Sequence, residues 1–525
     1  STQSRSSAAS DVYKRQGVLP GVSVSIKGTS KGTETDFNGK YTINAEVGNT
    51  LIYRYLGYKK TEKVIGNSRT IDVTMLEDNS VLEEVVVVAY GTTTKEALTG
   101  SVGIVGEKDL ETRNLTSPIA AIEGKVTGVQ FTSTNGQPGS TPSIIIRGVG
   151  TLNGSTDPLF IVDGIQFEGG LNTINQEDIA SLTVLKDAAS TSLYGARAAN
   201  GVVIITTKTG KNNGAIKVSA SMQGGIVTRS DQFFYDEVSP GEYYEVMWEA
   251  LKNSPAGNGD PAFASANIYN QLGYNPFNVA NDQIVGVDGK INPNAQVIYK
   301  SLDWFDFMEQ TGVRQNYNVN VSGGGENHRI FFSTSYLEEE GYVKTTNYDR
   351  LTSRLNANFD VNDKLKIAAS ANITLAESSG PSSAGTGSIV NPFGFAQGIG
   401  SVYPVFVNDL NGNLALDEIG NPLFDNGEGY NQFNIGSRPY SQGRHALQEL
   451  LLNDERDLNN AYGFRFSADY EILEGLTFSL NYGRDIQDLI EKEYENNIIG
   501  DAQPDGRYSE TRGRREVQNF TQVLK

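Results

Sequence analysis

The residues able to do covalent or metal chemistry are few and badly spaced for it. Gly28-Thr29-Ser30-Lys31-Gly32 fits the G-x-S-x-G string of a nucleophile elbow. That device needs a strand-to-helix turn, with a histidine base and an acid brought to the serine. No helical pattern follows here, and the two histidines, His328 and His445, lie far along the chain. A β-turn is the expected structure. Asp409-Leu410-Asn411-Gly412-Asn413, followed by Asp417 and Glu418, has the oxygens of a calcium loop. An EF-hand loop needs glycine at its sixth position, which is Leu414, so a hairpin turn is expected there. Cysteine is absent, which excludes disulfides, thiol catalysis and thiolate metal sites. No G-x-x-x-x-G-K-[ST] phosphate loop is present, and carboxylates are too abundant to single out a glycosidase pair. The sequence therefore assigns no catalytic residue, no metal ligand and no cofactor. Its net charge of −19 has no compensating basic stripe, which argues against nucleic acid as a partner.

A different chemistry, main-chain hydrogen bonding, is offered by Glu83-Glu84-Val85-Val86-Val87-Val88-Ala89-Tyr90-Gly91-Thr92. β-Branched residues favour extended backbone. A half-exposed strand would alternate apolar with polar residues, and four consecutive valines do not. Either both faces are buried inside the protein or the strand is offered to something else. The run sits in a polar tether, residues 78–96, with Glu77, Asp78 and Asn79 before it and Thr92 to Lys95 after it. That placement, after a finished domain, favours donation.

Four zones surround and follow this tether. Residues 1–16, STQSRSSAASDVYKRQ, show neither a signal-peptide core nor a strand pattern and resemble translated adaptor sequence, so they are left out of the fold. Residues 17–77 carry short alternating strands around Val22, Val24 and Ile26, Tyr41 and Ile43, Leu51, Tyr53 and Tyr55, and Ile71, Val73 and Met75, with a turn at Asp36-Phe37-Asn38-Gly39. This predicts a small β-sandwich. Residues 97–211 are mixed α/β. A helix is predicted from Ser117-Pro118 to Gly128 with Ile119, Ile122 and Val126 on one face. Strands follow at 143–146, 159–162, 182–185 and 202–207, an Asp163-Gly164 turn, a short turn of helix at 176–179 and a small-residue helix capped by Asp187.

Residues 212–525 change to long alternating strands. Leu351, Ser353, Leu355, Ala357, Phe359 and Val361 oppose Thr352, Arg354, Asn356, Asn358 and Asp360, and the pattern recurs at 365–375, 462–470 and 476–482. Strands of this length and dyad pattern mark an outer-membrane barrel or a soluble sandwich. The connections decide between them. Short turns at 323–327, 361–364 and 471–475 alternate strictly with longer segments near 228–313, 338–347 and 377–460. A barrel with short periplasmic turns and long outer loops requires that parity. About eight strands are counted, the last unfinished. A closed eight-stranded barrel is filled by its own side chains, so a barrel enclosing residues 97–211 must be larger than this chain supplies.

The order of these pieces resembles the SusC-like TonB-dependent transporters of Bacteroidetes outer membranes. Val18-Leu19-Pro20-Gly21-Val22-Ser23-Val24 with Thr35-Asp36 and Gly39-Lys40-Tyr41 looks like their carboxypeptidase-regulatory-like domain. The run Glu83 to Thr92 looks like their TonB box. Ile144-Ile145-Ile146-Arg147-Gly148, Asp157-Pro158-Leu159-Phe160-Ile161-Val162-Asp163-Gly164, Val184-Leu185-Lys186-Asp187-Ala188 and Tyr194-Gly195-Ala196-Arg197-Ala198-Ala199-Asn200-Gly201 look like plug motifs. The resemblance implies a mainly β protein: a small sandwich, an α/β plug domain and the first strands of a large, incomplete transmembrane antiparallel β-barrel. It implies that Glu84, Val85, Val86, Val87, Val88, Ala89 and Tyr90 bind TonB, energised by ExbB and ExbD, by strand addition to an exposed sheet edge. Arg147, Gly148, Asp163, Gly164, Gly195 and Gly201 would hold plug turns and plug–barrel contacts. The implied function is energised import of large nutrients, oligosaccharides or alternatively oligopeptides, beneath a SusD-like surface lipoprotein, with outer-membrane lipid around the barrel and the sandwich and box in the periplasm. A signal-transducing receptor is the other reading, and an enzyme is not expected.

Overall fold

The computed structural model describes residues 2–7, 18–29, 31–55, 58, 60–75, 85–88, 91–94, 102–110, 117–132, 136–167, 170–210, 214–230, 238–381 and 391–525. Contacts divide the chain into two compact units, Ser1–Thr99 and Gly100–Lys525.

The first unit is built from eight short strands: β1 (Thr2–Ser7), β2 (Ser23–Ile26), β3 (Gly32–Glu34), β4 (Lys40–Ala45), β5 (Thr50–Arg54), β6 (Thr61–Val64), β7 (Val85–Val88) and β8 (Gly91–Thr94). A four-stranded sheet runs β3-β2-β5-β6, and β4 pairs with β1. The alternation makes the core: Val22, Val24, Tyr41, Leu51, Tyr53, Val73 and Met75 are all buried. Asp36 accepts from the backbone N–H groups of Asn38 and Lys40 at 2.9 and 2.8 Å, and Gly39 takes φ +67°, so the predicted turn forms. Gly28 turns the chain directly from β2 to β3. No helix follows, and the elbow string is a β-turn whose Ser30 lies outside the described residues.

Two expectations change in this unit. Residues 1–16 were expected to contribute nothing, yet the backbone of Thr2–Ser7 pairs with β4 from Thr2↔Ala45 to Ser7↔Lys40. β4 packs its apolar residues in the core but, among the described residues, has no other ladder partner. An open edge accepts any extended backbone, whatever its side chains. The fourth predicted strand, around Ile71 to Met75, is reduced to isolated bridging residues, although Val73 and Met75 still fill the core.

The second unit begins with a five-stranded sheet, order β13-β12-β15-β14-β9, made of β9 (Val102–Gly106), β12 (Leu159–Val162), β13 (Ile165–Phe167), β14 (Ile179–Leu185) and β15 (Val202–Thr207). A separate hairpin pairs β10 (Val129–Thr132) with β11 (Ser143–Ile146). α1 (Glu107–Leu110) and α2 (Ala188–Thr191) are short, and Asp187 caps α2 by accepting from Ser190 N–H at 2.9 Å. The helix predicted over 118–128 is not formed: only Ala120–Ile122 makes a single 3₁₀ turn. Glu123 leaves helical geometry at ψ 128°, and Gly124 and Gly128 take φ +72° and +75°. Ile119, Ile122 and Val126 are nonetheless buried together, so the apolar spacing reports the core correctly without a helix.

Eight long strands complete the unit: β16 (Gly214–Val227), β17 (Gly312–Gly324), β18 (His328–Glu340), β19 (Asn347–Asn362), β20 (Leu365–Ser379), β21 (Asp454–Leu473), β22 (Leu476–Glu495) and β23 (Arg507–Leu524). They form one antiparallel sheet in sequence order, with β16 and β23 at its edges. The short and long connections alternate as the sequence parity requires. The long ones fold into a lobe carrying α3 (Pro240–Lys252), α4 (Pro261–Leu272), α5 (Trp304–Met308), α6 (Pro392–Gly398) and α7 (Ala446–Leu452). Its core buries Tyr244, Trp248, Tyr274, Trp304, Phe395 and Tyr403. These loop aromatics pack the lobe interior.

Candidate functional site

Among the described residues, His445 and the paired turn aspartates assemble no catalytic constellation. Among the described residues no group of His, Asp and Glu is placed to hold a metal. Asp409 accepts from Asn411 and Asn413 N–H, each at 2.8 Å. Asp417 does the same for Ile419 and Asn421 at 3.0 and 2.8 Å. Both carboxyls are held below their usual range by these donors. The acidic oxygens that resemble a calcium loop are spent on two hairpin turns. His445 is buried between Trp304 and Phe424, accepts at Nδ1 from Gln448 N–H and has Nε2 2.7 Å from Val405 O. Those partners fix a neutral imidazole protonated at Nε2, and burial pushes its pKa down to about 3.

What the structure does assemble is a sheet with its polarity inverted. Leu351, Leu355, Phe359 and Val361 are 43, 44, 43 and 52% exposed on one face of β19. Arg350, Thr352, Arg354 and Asn356, on the other, are 3, 4, 4 and 4% exposed. The same holds on neighbouring strands, where Tyr317, Val319, Ile330, Phe332 and Phe464 face out while Asn316, Asn318, Ser333, Ser335 and Arg465 are buried. Burying polar groups is costly unless they are paired. Here some pair within the wall, as Ser335 does with Asn316, and the mixed domain supplies partners for several others.

Asn356 Nδ2 donates to Thr207 Oγ1 and Lys208 O at 2.9 and 2.7 Å. Arg350 Nη1 donates to Asn172 O at 2.6 Å, and Thr374 Oγ1 to Thr173 O at 2.7 Å. Asn318 donates to Glu177, whose carboxylate also accepts from Ser221 at 3.1 Å. Arg354 sits between two carboxylates, with Nη1 3.7 Å from Asp163 Oδ2 and Nε 3.6 Å from Asp178 Oδ2. Burial raises the pKa of Asp178, and the Arg354 charge opposes that rise. Arg465 pairs with Asp485 at 3.1 Å and lies over the Phe167 ring. The mixed domain is thus lashed to the sheet by a set of polar contacts.

The predicted residues fall into place unevenly. Asp163 and Gly164 take φ +49° and +81° between Val162 and Ile165, a two-residue turn with both residues left-handed. Asp163 also accepts from Thr207 N–H and Oγ1, each at 2.8 Å. Arg147 and Gly148 make another left-handed pair at φ +60° and +93°, with the Arg147 side chain exposed. Gly201 takes φ +95°, and a Cβ added there would lie 2.7 Å from Ile146 Cδ1; Gly195 takes φ +71°. These four sites sit at turns. Val85 to Val88 form β7, paired antiparallel with β8 from Val85↔Thr94 to Val88↔Gly91. Glu84, Ala89 and Tyr90 lie outside the described residues.

Comparison with known proteins follows the same division. A family model for the TonB-dependent Receptor Plug Domain matches residues 94–202, and one for the CarboxypepD_reg-like domain matches residues 11–88. The latter begins inside the segment read as adaptor sequence. The chain is 36% identical over 357 residues to TonB-dependent receptor P26 of Formosa agariphila, a match covering 68% of this chain and 33% of that protein. It is 34% identical over 345 residues to TonB-dependent receptor SusC of Bacteroides thetaiotaomicron, covering 64% of this chain and 30% of SusC. The chain belongs to the SusC-like TonB-dependent receptors. Its mixed domain is the plug, and its eight-stranded sheet is part of a barrel wall. The matched stretch spans about a third of the length of these curated relatives. Among solved structures, the RagAB peptide importer in its closed-closed state shares the fold, with a TM-score of 0.60 and 24% identity over 81% of this chain and 45% of that one.

Of the residues at the plug–wall contacts, only Asp163 was named beforehand, on the family resemblance, while Asp178, Glu177, Thr207, Arg350 and Asn318 were not. Arg354 and Asn356 were visible as the polar side of an alternating strand. Which plug groups face them depends on two separate folds docking, which no local pattern encodes.

Proposed function

We propose that this receptor imports a large nutrient across the outer membrane, with TonB supplying the work. The observation that carries the reading is the inverted wall. Its apolar residues face outward as lipid-facing residues do, and Asn318, Arg350, Asn356 and Thr374 on its polar face hydrogen-bond to the plug. Hydrogen bonds and ion pairs to a polar wall exchange for water at little cost, so such a plug can be moved where an apolar one would stay stuck. The force enters at Glu84 to Tyr90, the TonB box, which we assign to strand addition at TonB's sheet edge, with ExbB and ExbD as energisers. The sandwich and box belong in the periplasm. Arg147, Gly148, Asp163, Gly164, Gly195 and Gly201 are assigned to holding the plug's turns and its contacts with the wall.

The cargo we propose is an oligosaccharide delivered beneath a SusD-like lipoprotein, on the likeness to SusC. An oligopeptide is the alternative, on the fold shared with a peptide importer. No residue here is assigned to catalysis.

The test is calorimetric titration of a peptide covering residues 80–96 with the periplasmic domain of TonB from the same bacterium. A Val86→Pro peptide, which loses a ladder N–H, is the control. Binding by the native peptide that proline weakens at least tenfold supports strand addition. Equal binding by both, or by neither, contradicts it.

A further inference from the structure

Resting on the TonB-box reading, we infer that the hairpin Val85–Thr94 is the docking form of the box. In it β8 holds one edge of the valine strand, a strand of TonB takes the other, and the hairpin itself is the first element to yield to the pull.

The register leads to this arrangement. β7 and β8 form a two-stranded sheet and, among the described residues, pair with nothing else. In an antiparallel pair, alternate residues spend their N–H and C=O groups on the partner and the intervening residues direct theirs to the far side. β7 therefore keeps one edge of unpaired donors and acceptors, the template that strand addition needs. Taking that edge costs no existing pair, whereas displacing β8 would break the four-residue ladder Val85↔Thr94 to Val88↔Gly91. Holding the valines extended beforehand also removes ordering entropy from the binding step. Threonines suit β8 because they are β-branched and need no apolar surroundings.

The load path follows from the same register. The chain enters at Val85 and leaves at Thr94, and these two residues face one another at the open end of the hairpin. Tension between a gripped β7 and the plug therefore separates the pairs one at a time, instead of shearing all four together. Between Val88 and Gly91 the sequence has Ala89-Tyr90, not the Asn-Gly type that stabilises two-residue hairpins, and a lone two-stranded hairpin is marginal in water. The plug sheet has five strands and a buried core. The hairpin opens first. Closed, its ends lie about 5 Å apart; open, ten residues reach about 30 Å. Opening thus releases about 25 Å of tether before force reaches the plug.

The absence of cysteine allows a clean test. Val85→Cys with Thr94→Cys places one thiol opposite the other, at a spacing a disulfide spans. The whole chain, in detergent, is titrated with the TonB periplasmic domain, oxidised and reduced, beside the wild type. The oxidised form is expected to bind at least as tightly as the reduced form. In single-molecule pulling through TonB, the reduced form is expected to lengthen by about 25 Å before any plug event, and the oxidised form is not. Binding lost on oxidation and restored by reductant would place TonB on β8's edge and overturn the inference. So would the lack of an early step in the reduced form. If the wild type itself fails to bind, the TonB-box reading falls and the inference with it.

Discussion

Arg354 stands on the inner face of β19 with Asp163 and Asp178 of the plug on either side, its side chain 4% exposed. A buried pair contributes little net stability compared with a well-packed apolar replacement, but breaking it leaves an uncompensated charge. Arg354→Met would strand Asp178, itself 3% exposed, and weaken plug–wall docking by about 3–5 kcal/mol. Adding Asp178→Asn removes the stranded charge and should restore most of that loss. Protease cleavage of the plug in rising urea checks both: the single variant should be cut at clearly lower urea than wild type, and the double variant near it. Identical behaviour of wild type and the single variant would remove Arg354 from the latch. At this scale the sequence is half legible. The alternation of Leu351 to Val361 with Thr352 to Asp360 separates the two faces without ambiguity. It does not say that Arg354 meets two aspartates, because Asp163 and Asp178 lie on plug segments that only tertiary docking brings to one guanidinium.

At the level of elements, α7 shows how a loop between wall strands became a folded lobe. His445 is its N-cap, an unusual choice, and does two further jobs by packing against Trp304 and Phe424 and bonding Val405. The cap requires the neutral ring, because Nδ1 must accept from Gln448 N–H, and burial disfavours the charged form. With a folded pKa of about 3 and an unfolded value near 6.5, the unfolded chain binds more protons in that window. Stability is therefore full above about pH 6.5 and is lost as pH falls toward 3, by up to about 1.4 kcal/mol per unit. His445→Asn keeps a capping side chain and should flatten that dependence, at some cost in packing at pH 7. Hydrogen exchange of the α7 amides at pH 7, 5.5 and 4.5, corrected for intrinsic rates, would show it. An equally steep loss in the variant would assign the acid sensitivity elsewhere. Ser239-Pro240-Gly241-Glu242 makes a complete capping box at the start of α3, a local signal that the sequence reading passed over. The Ser117-Pro118 start announced a helix that Gly124 cuts off after one 3₁₀ turn, since a strong start cannot outvote a left-handed glycine in the first turns.

For the whole molecule, plug and wall form one compact unit although their sequence patterns differ sharply at residue 212. Composition shows where the pattern changes; it cannot show that two patterned regions share an interface. The strand count, the parity of connections and the inversion of polarity were all legible, because period-two alternation and loop length are local properties. The edge pairing of Thr2–Ser7 was not, since main-chain ladders leave no mark on side-chain pattern. The account stands or falls on the direction the wall faces. No helix among the described residues is long and apolar enough to cross a membrane. Because the chain lacks cysteine, single cysteines at consecutive positions from 351 to 358 can each carry a spin label in bilayers. Collision with oxygen dissolved in lipid, against a water-soluble nickel chelate, then reads the surroundings of each position. A period of two, with labels at odd positions exposed to lipid and those at even positions screened from both reagents, is the predicted result. Odd positions open to the water-soluble reagent, or no periodicity at all, would contradict a lipid-facing wall closed around a plug.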